Sequence, residues 1–224
     1  EAIFCDLLQG RWNMKKRIAI FGISGSTGQA IVKNGLARDY EIIGLARPSS
    51  QLPEENKNVE IVRGELSDRE KIIQVVNGSD AVICVLGPRP PFSDLFCGDA
   101  TAAILQAMQG TGSNRLICVT GAMIGPAENR AFLLDWMANR FMQRAPEAAE
   151  DRHRQEDLIM SSGIDWTLVK PPRLTDLAAG DNVSAGSDLR VGWFSKLSRA
   201  DVAEFCINIF EQNQHVQERV FVTG

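Results

Sequence analysis

A doubly wound α/β fold, one domain built on a parallel sheet, is what this sequence predicts, and three observations predict it. Short apolar, β-branched runs without in/out alternation recur along the chain, the mark of strands buried on both faces. Stretches of helical spacing separate them, the order expected of a sheet covered by helices on both sides. A length of 224 residues suits one such domain before cores split.

Taken in order, Arg17–Phe21 is the first apolar run and leads into Gly22. Residues 27–38 carry a partial helical face through Ala30, Ile31 and Leu36. The second and third strands are expected at Glu41–Ala46 and Val59–Arg63. Residues 68–77 read as a helix with Asp68 as its N-cap and Gly78 beyond its end. The continuous apolar run 81–86, closed by Gly87-Pro88, reads as a buried strand. A helix over 99–109 and a strand over Arg115–Val119 follow.

The second half has weaker periodicity. Residues 129–144 have helical spacing through Phe132, Leu133, Trp136, Met137 and Phe141, ending before Pro146. Residues 148–162 form a charged helix stopped by Gly163, and 166–170 a sixth strand ended by Pro171-Pro172. The Gly/Ser/Asp-rich stretch 175–189 reads as a loop, before a helix over 201–211 and a strand over 219–222. No internal repeat or low-complexity tract appears.

Composition excludes several classes. With 44% hydrophobic and 23% charged residues the chain is of the ordinary globular kind. A net charge of −4 argues against a nucleic-acid surface. The cluster Lys15-Lys16-Arg17 reads as a solvated strand entry. Cys5, Cys84, Cys97, Cys118 and Cys206 show no C-x-x-C spacing, so neither a zinc site nor a disulfide framework is expected. Cys84 and Cys118 lie in strand-like runs as small hydrophobes. Reduced thiols point to a cytoplasmic protein.

No apolar stretch approaches the roughly 18 residues of a membrane span. Residues 1–13 lack the basic and apolar regions of a signal peptide. Met14 reads as a natural start, with 1–13 an added or upstream extension and the domain over 14–224, its substrate loops in the C-terminal half.

The strongest local signal is Phe21-Gly22-Ile23-Ser24-Gly25-Ser26-Thr27-Gly28, between the first strand and the first helix. Gly22 allows the tight turn, Gly25 a close approach of backbone to a pyrophosphate, and Gly28 close helix–strand packing. The exposed N–H groups and helix dipole favour the negative charge. The fold is therefore Rossmann-type. The spacing is G-x-x-G-x-x-G.

The tip of the second strand reads Gly44-Leu45-Ala46-Arg47-Pro48-Ser49-Ser50. NAD-selective folds place a carboxylate there for the ribose hydroxyl, and none is present. Arg47 can pair with a 2′-phosphate, and Ser49 or Ser50 can donate to it. NADP(H) is the expected cofactor. Glu65 and Leu66 after the third strand should lie near the adenine. Leu86, Gly87 and Arg89 after the fourth should lie near the ribose and pyrophosphate, since ligands sit at the carboxyl ends of strands.

These residues carry a resemblance. The stretches Ile18-Ala19-Ile20-Phe21-Gly22, Leu45-Ala46-Arg47-Pro48-Ser49-Ser50, Val62-Arg63-Gly64-Glu65-Leu66, Asp80-Ala81-Val82-Ile83 and Ser162-Gly163-Ile164-Asp165-Trp166, with Lys170-Pro171-Pro172, are similar to one family. The sequence resembles the atypical short-chain dehydrogenase/reductases, in particular their NmrA-like and flavin reductase/biliverdin-IXβ reductase-like group, from about Lys16 to the C-terminus. The resemblance implies NADPH held by Gly25, Ser26, Thr27 and Gly28, with Arg47 and Ser49 at the 2′-phosphate. It also implies a substrate pocket walled by the loops after Val119 and Pro172.

The departures bear on chemistry. Most short-chain dehydrogenases use a Tyr-x-x-x-Lys pair as general acid or base. The one tyrosine here, Tyr40, has no such lysine after it. Where the flavin/biliverdin-type enzymes carry a pocket serine and histidine, this chain has Gly121 and Arg173, with Thr120 beside the first.

Thr120 and Arg173 are therefore the expected catalytic positions. Lys170 and Pro171 complete a cofactor-binding set of Gly22, Ser24, Gly25, Ser26, Thr27, Gly28, Arg47, Ser49, Glu65, Leu66, Leu86, Gly87 and Arg89. Arg190 lies in a second loop able to close over the pocket. His153, among Asp151, Arg152, Arg154 and Glu156, reads as a solvated histidine, and His215 likewise. Glu54-Glu55 read as solvating charge, and no metal is expected.

The expected activity is NADPH-dependent hydride transfer to a flavin, quinone or similar small acceptor, the chemistry being carried by the cofactor. The alternative is an NADP(H)-sensing regulatory protein of the NmrA kind. A sugar epimerase or dehydratase would need the Tyr/Lys pair and a larger C-terminal domain. The apolar residues within 132–141 leave a homodimer open, with no nucleic-acid or membrane partner expected.

Overall fold

The computed structural model describes residues 15–52, 56–88, 94–180 and 182–224. The extension 1–13, Cys5, Glu54-Glu55 and Arg89 lie outside the described residues. The strands are β1 (Arg17–Phe21), β2 (Glu41–Ala46), β3 (Val59–Arg63), β4 (Ala81–Cys84), β5 (Arg115–Val119) and β6 (Asp165–Lys170). The short β7 (Arg173–Thr175), β8 (Ser184–Gly186) and β9 (Lys196–Ser198) precede β10 (Glu218–Thr223). Among the described residues six α-helices join them: α1 (Ser26–Ala37), α2 (Arg69–Val76), α3 (Cys97–Thr111), α4 (Phe132–Arg144), α5 (Pro146–Met160) and α6 (Arg199–Glu211).

One sheet of eight strands runs β3-β2-β1-β4-β5-β6-β10-β8. Its pairings are parallel except β10–β8. From β1 the order runs one way through β2 and β3 and the other way from β4, so a crevice opens at the carboxyl ends of β1 and β4.

The residue pattern explains the two covered faces. Ala19 and Phe21 of β1 point into a core with Val75 of α2, Ile104 and Met108 of α3, and Ile159 of α5. Ile18 and Ile20 point into the opposite core, with Ile31 of α1 and Val202, Cys206 and Ile207 of α6. Both faces of one strand are apolar, so no alternation survives in the sequence. The single-domain, parallel α/β expectation is met.

Element boundaries differ in instructive places. Strand β4 stops at Cys84, two residues before the apolar run does; Val85 still donates to the Phe21 carbonyl before the chain departs. The helix expected from residue 129 starts at Phe132, after a 3-10 turn at Ala127–Asn129. Arg130 interrupts it: the side chain is buried and donates to the carbonyls of Met123 and Gly125, while its backbone bridges to Val191.

Pro146 ends nothing by itself but opens α5, where its missing N–H has no intrahelical role. Inside the expected loop 175–189 lies β8, and β7, at its start, pairs in parallel with β9 beyond its end. Among the described residues no helix is long and apolar enough to cross a membrane.

The glycine loop is locked by contact. A Cβ at Gly28 would fall 2.3 Å from the Gly22 carbonyl oxygen and 2.8 Å from the Ile23 Cα. Gly22 itself stands at φ +93° against the Val85 backbone. Gly28→Ala should therefore lower unfolding free energy by about 1–3 kcal/mol, the usual range for overpacking. Urea denaturation measures it, and an unchanged midpoint would contradict the contact.

Candidate functional site

Three strand ends and one helix start surround the crevice. Gly25 caps α1 without a side chain, no carboxylate stands in the helix's first turn, and the first α1 bond is Gln29 N–H to the Gly25 carbonyl. The preceding first-turn N–H groups, from Ser26 to Gly28, lack a capping acceptor, the state in which a helix N-terminus binds an anion. Ser24 and Thr27 are half-buried beside the loop and Ser26 is exposed. The amide of Gly25 donates to the Gly22 carbonyl at 3.0 Å, which closes the turn.

At the tip of β2 the chain turns, Ser50 N–H donating to the Arg47 carbonyl at 2.9 Å. Arg63, at the end of the neighbouring β3, donates through one Nη1 to the carbonyls of Arg47 and Ser50, at 3.1 and 2.8 Å. One arginine thus pins the turn that presents another. Arg47 is exposed and its guanidinium has no hydrogen-bond or ion-pair partner among the described residues; Ser49 is exposed beside it. Glu65 is exposed and Leu66 half-buried after β3. A free guanidinium and a serine, with no carboxylate among residues 47–50, suit a phosphate better than a bare ribose diol.

A groove of about 980 Å³ also runs along the α1 side of β3, lined by Ile23, Gln29, Val32, Leu52, Ile61 and Arg63. The described part of the β2–β3 connection has no helix to cover that face. The groove is a consequence of that open face and lies away from the ends of β4, β5 and β6.

Those three ends rest on a buried polar tier. Arg152 of α5, 6% exposed, donates to the Leu86 carbonyl beyond β4 at 3.0 Å and closely to the Thr120 carbonyl beyond β5. The same guanidinium meets Gln155 Oε1 at 2.6 Å, and Gln155 donates to Thr101 Oγ1 of α3 at 3.0 Å. One turn on, Glu156 forms a close ion pair with Lys170 at the end of β6. The Lys170 ammonium, with no exposed surface, also donates to Thr120 Oγ1 at 3.3 Å.

Asp151 completes the arrangement from the same helix. Its carboxylate accepts the backbone N–H groups of Cys97 and Gly98 at 2.9 and 2.8 Å and so caps α3. Burial pushes Lys170 down to about 8, with Arg152 and Arg219 adding to the fall and Glu156 opposing it. Burial likewise pushes the Cys97 thiol up to about 11 and Cys206 up to about 12.

The sequence-expected residues divide accordingly. Thr120 is half-buried at the floor of the crevice, with Leu86 and the exposed Gly87 beside it. Pro171 is buried and its carbonyl accepts from Ala122 N–H at 2.8 Å, fixing the loop after β5; Gly121 in that loop stands at φ +113°. Arg173 is exposed at the start of β7, without a partner among the described residues. The Lys170 ammonium lies beneath the floor rather than in the crevice. Arg190 is exposed and touches the Arg130 carbonyl at 3.4 Å. Tyr40 stands at the far end of the sheet, its hydroxyl donating to Glu211 at 2.6 Å.

Sequence reasoning missed Arg63, Arg130, Arg152, Gln155 and Glu156. For the last three a signal existed: they share one helical face with Ala148, Ala149 and Ile159, all buried.

The family model described as NAD(P)H-binding matches residues 22–213. This chain belongs to the NAD(P)H-binding family. Two curated relatives of this family member are an uncharacterised chloroplastic protein of Arabidopsis thaliana and an uncharacterised protein of Bacillus subtilis. The first is 26% identical over 89% of this chain and 73% of the relative, the second 25% identical over 93% and 98%.

Solved structures confirm the fold. A short-chain dehydrogenase/reductase of Veillonella parvula, crystallised with NADP, superposes with a TM-score of 0.78 at 17% identity over 94% of this chain and 95% of its own. A proposed NADH-flavin reductase of Streptococcus pneumoniae has a TM-score of 0.73 at 21% identity, covering 93% and 99%. An anaerobilin reductase of Escherichia coli O157:H7 has a TM-score of 0.74 at 16% identity, covering 92% and 96%.

Removing one partner of a buried ion pair leaves an uncompensated charge. Glu156→Ala should cost about 3–5 kcal/mol of unfolding free energy near neutral pH. The deficit should shrink as pH rises, because the orphaned ammonium of Lys170 can then lose its proton. Urea denaturation near neutral pH and again above the Lys170 value of about 8 tests this, and a small, pH-independent loss would contradict the pairing.

Proposed function

We propose that this protein is an NADPH-dependent reductase delivering hydride to a small flat acceptor such as a flavin or quinone. The observation that carries the reading is the pairing of an uncapped α1 N-terminus, behind Gly22 and Gly28, with the unpartnered Arg47 on its pinned turn. In this reading the first-turn N–H groups from Ser26 to Gly28 hold the pyrophosphate, with Ser24 beside it. Arg47 and Ser49 hold the 2′-phosphate, and Glu65 and Leu66 flank the adenine. Leu86 and Gly87 follow β4 where the ribose would pass, and Pro171 fixes the wall of the acceptor pocket.

Bound NADPH would supply the hydride. The chain's own part is to orient the acceptor at Thr120, with Arg173 placed to meet an anionic group on it. Solved neighbours with reductase names and a neighbour crystallised with NADP support this reading.

A second reading is a non-catalytic NADP(H) sensor. The remoteness of Tyr40 from the crevice favours it, since no Tyr-x-x-x-Lys pair is available for acid catalysis.

Loss of NADPH absorbance with riboflavin and a short-chain quinone distinguishes the two. Saturable oxidation supports the reductase; tight NADPH binding without turnover supports the sensor. Arg47→Ala should raise KM for NADPH about 10- to 100-fold, the cost of one charge-assisted contact, with kcat and the KM for NADH nearly unchanged. Equal losses with NADPH and NADH would remove Arg47 from the 2′-phosphate.

A further inference from the structure

The buried lysine has a property its structural role does not require. Lys170 Nζ stands between two acceptors, the Glu156 carboxylate below and Thr120 Oγ1 above. Glu156 and Lys170 are closed off from solvent, while Thr120 is half-exposed at the floor of the crevice. The hydroxyl thus joins the buried ammonium to a residue that reaches the crevice surface. A Cβ at Gly125 would fall 2.9 Å from Lys170 Cε and 3.1 Å from Nζ, so the loop after β5 leaves the ammonium just enough room.

Resting on the reductase reading, we propose that Lys170 and Thr120 form a proton relay to the reduced acceptor, the task that a tyrosine–lysine pair would otherwise perform. As the acceptor gains hydride and its electron pair, an oxygen or nitrogen on it becomes basic. Thr120 Oγ1 gives that atom its hydroxyl proton, breaking one O–H bond, and takes a proton from the Lys170 ammonium. Lys170 is left as a neutral amine hydrogen-bonded in the pocket with Glu156. When product leaves, water reaches Thr120 and returns one proton through the same hydroxyl. The net proton comes from solvent and the electrons from NADPH.

The electrostatics around Lys170 suit a donor. Glu156 of α5 keeps the ammonium charged, while burial, Arg152 of the same helix and Arg219 of β10 weaken its hold on the proton, bringing it to about 8. The Phe221 ring lies 5.9 Å from Nζ and adds no titrating group. A general acid works best with its pKa near the operating pH, where the charged form is abundant and the proton still transferable. The donor form is abundant well below about 8, half-populated there and lost as pH rises further.

The test is single-turnover hydride transfer to riboflavin and to a short-chain quinone, from about pH 6 to about pH 10. It is run on the wild type, Lys170→Arg, Thr120→Val and Thr120→Ser, with NADPH binding followed by fluorescence. NMR titration of lysine Cε in the protein without NADPH provides a readout independent of turnover. Expected are a wild-type rate that falls as pH rises through about 8 and a lysine titrating in the same range. Lys170→Arg should keep the ion pair yet flatten the profile, because a guanidinium does not titrate there. Thr120→Val should slow the step about 100-fold with a solvent isotope effect near unity, and Thr120→Ser should restore both.

A wild type that reduces acceptors with a flat profile overturns the relay alone. So does a Lys170→Arg profile with the same limb, or a Lys170 signal titrating at the ordinary lysine value. A wild type that binds NADPH and reduces neither acceptor overturns the reductase reading and the relay with it. If Lys170→Arg fails to fold, the wild-type profile and the NMR titration still decide.

Discussion

Arg152 reaches up from α5 and holds the carbonyls of Leu86 and Thr120, residues just beyond β4 and β5 as the sheet ends. Carbonyls at such a place have lost their ladder partners, and a buried unpaired carbonyl is costly. A guanidinium is the side chain with enough donors in a fixed fork to satisfy two strand ends at once. The rest of the tier follows from that choice. One turn along the same helix, Glu156 pairs with Lys170 at the end of β6, so the ammonium that lies beside this fork is matched by a carboxylate. Asp151 on the neighbouring position ties α3 to the same helix. The floor of the crevice is thus one connected unit of β4, β5, β6, α3 and α5.

The other half of the crevice works by absence. Gly22 and Gly28 let loop and helix meet at distances no side chain would permit, and Gly25 leaves the helix N-terminus without a cap. Arg47 is left without a partner while Arg63 holds its backbone. The division of labour is consistent: groups that face the crevice are bare, and the groups that hold them have their hydrogen bonds satisfied inside the protein. Such a site is preorganised, because little needs to rearrange when an anion arrives.

Much of this was legible in the residues, and the reasons it was or was not are physical. Strands β1, β2 and β5 lie where their apolar runs do, because a buried parallel strand is defined by such a run. The glycine loop was readable because its residue types have one steric explanation. Strands β7, β8 and β9 are three residues each, too short to show a period, and their pairing depends on distant chain. The break at Arg130 was invisible because helical spacing continues through it; a tertiary clamp, not propensity, decides there. The tier in α5 went unseen behind the plain reading of a charged helix. Charge count suggested water, whereas the alignment of Arg152, Gln155 and Glu156 on the face of Ala149 and Ile159 marks an inward stripe.

The presence of Lys170 in that stripe's reach bears on what the protein does. A buried ion pair contributes little net stability compared with apolar residues of the same volume, so stability is a poor reason for it. The carbonyls of β4 and β5 are already satisfied by Arg152, and an aliphatic side chain at the end of β6 would need no carboxylate at position 156. What an aliphatic residue would not provide is a proton with a path to the crevice through Thr120. A sensor that only weighs two forms of a dinucleotide has no use for such a path, whereas a reductase must neutralise charge on its acceptor at each turnover. Perturbed titrating groups gather at working sites for this reason. The dry lysine is therefore an argument, independent of the glycine loop, for chemistry at this crevice rather than binding alone.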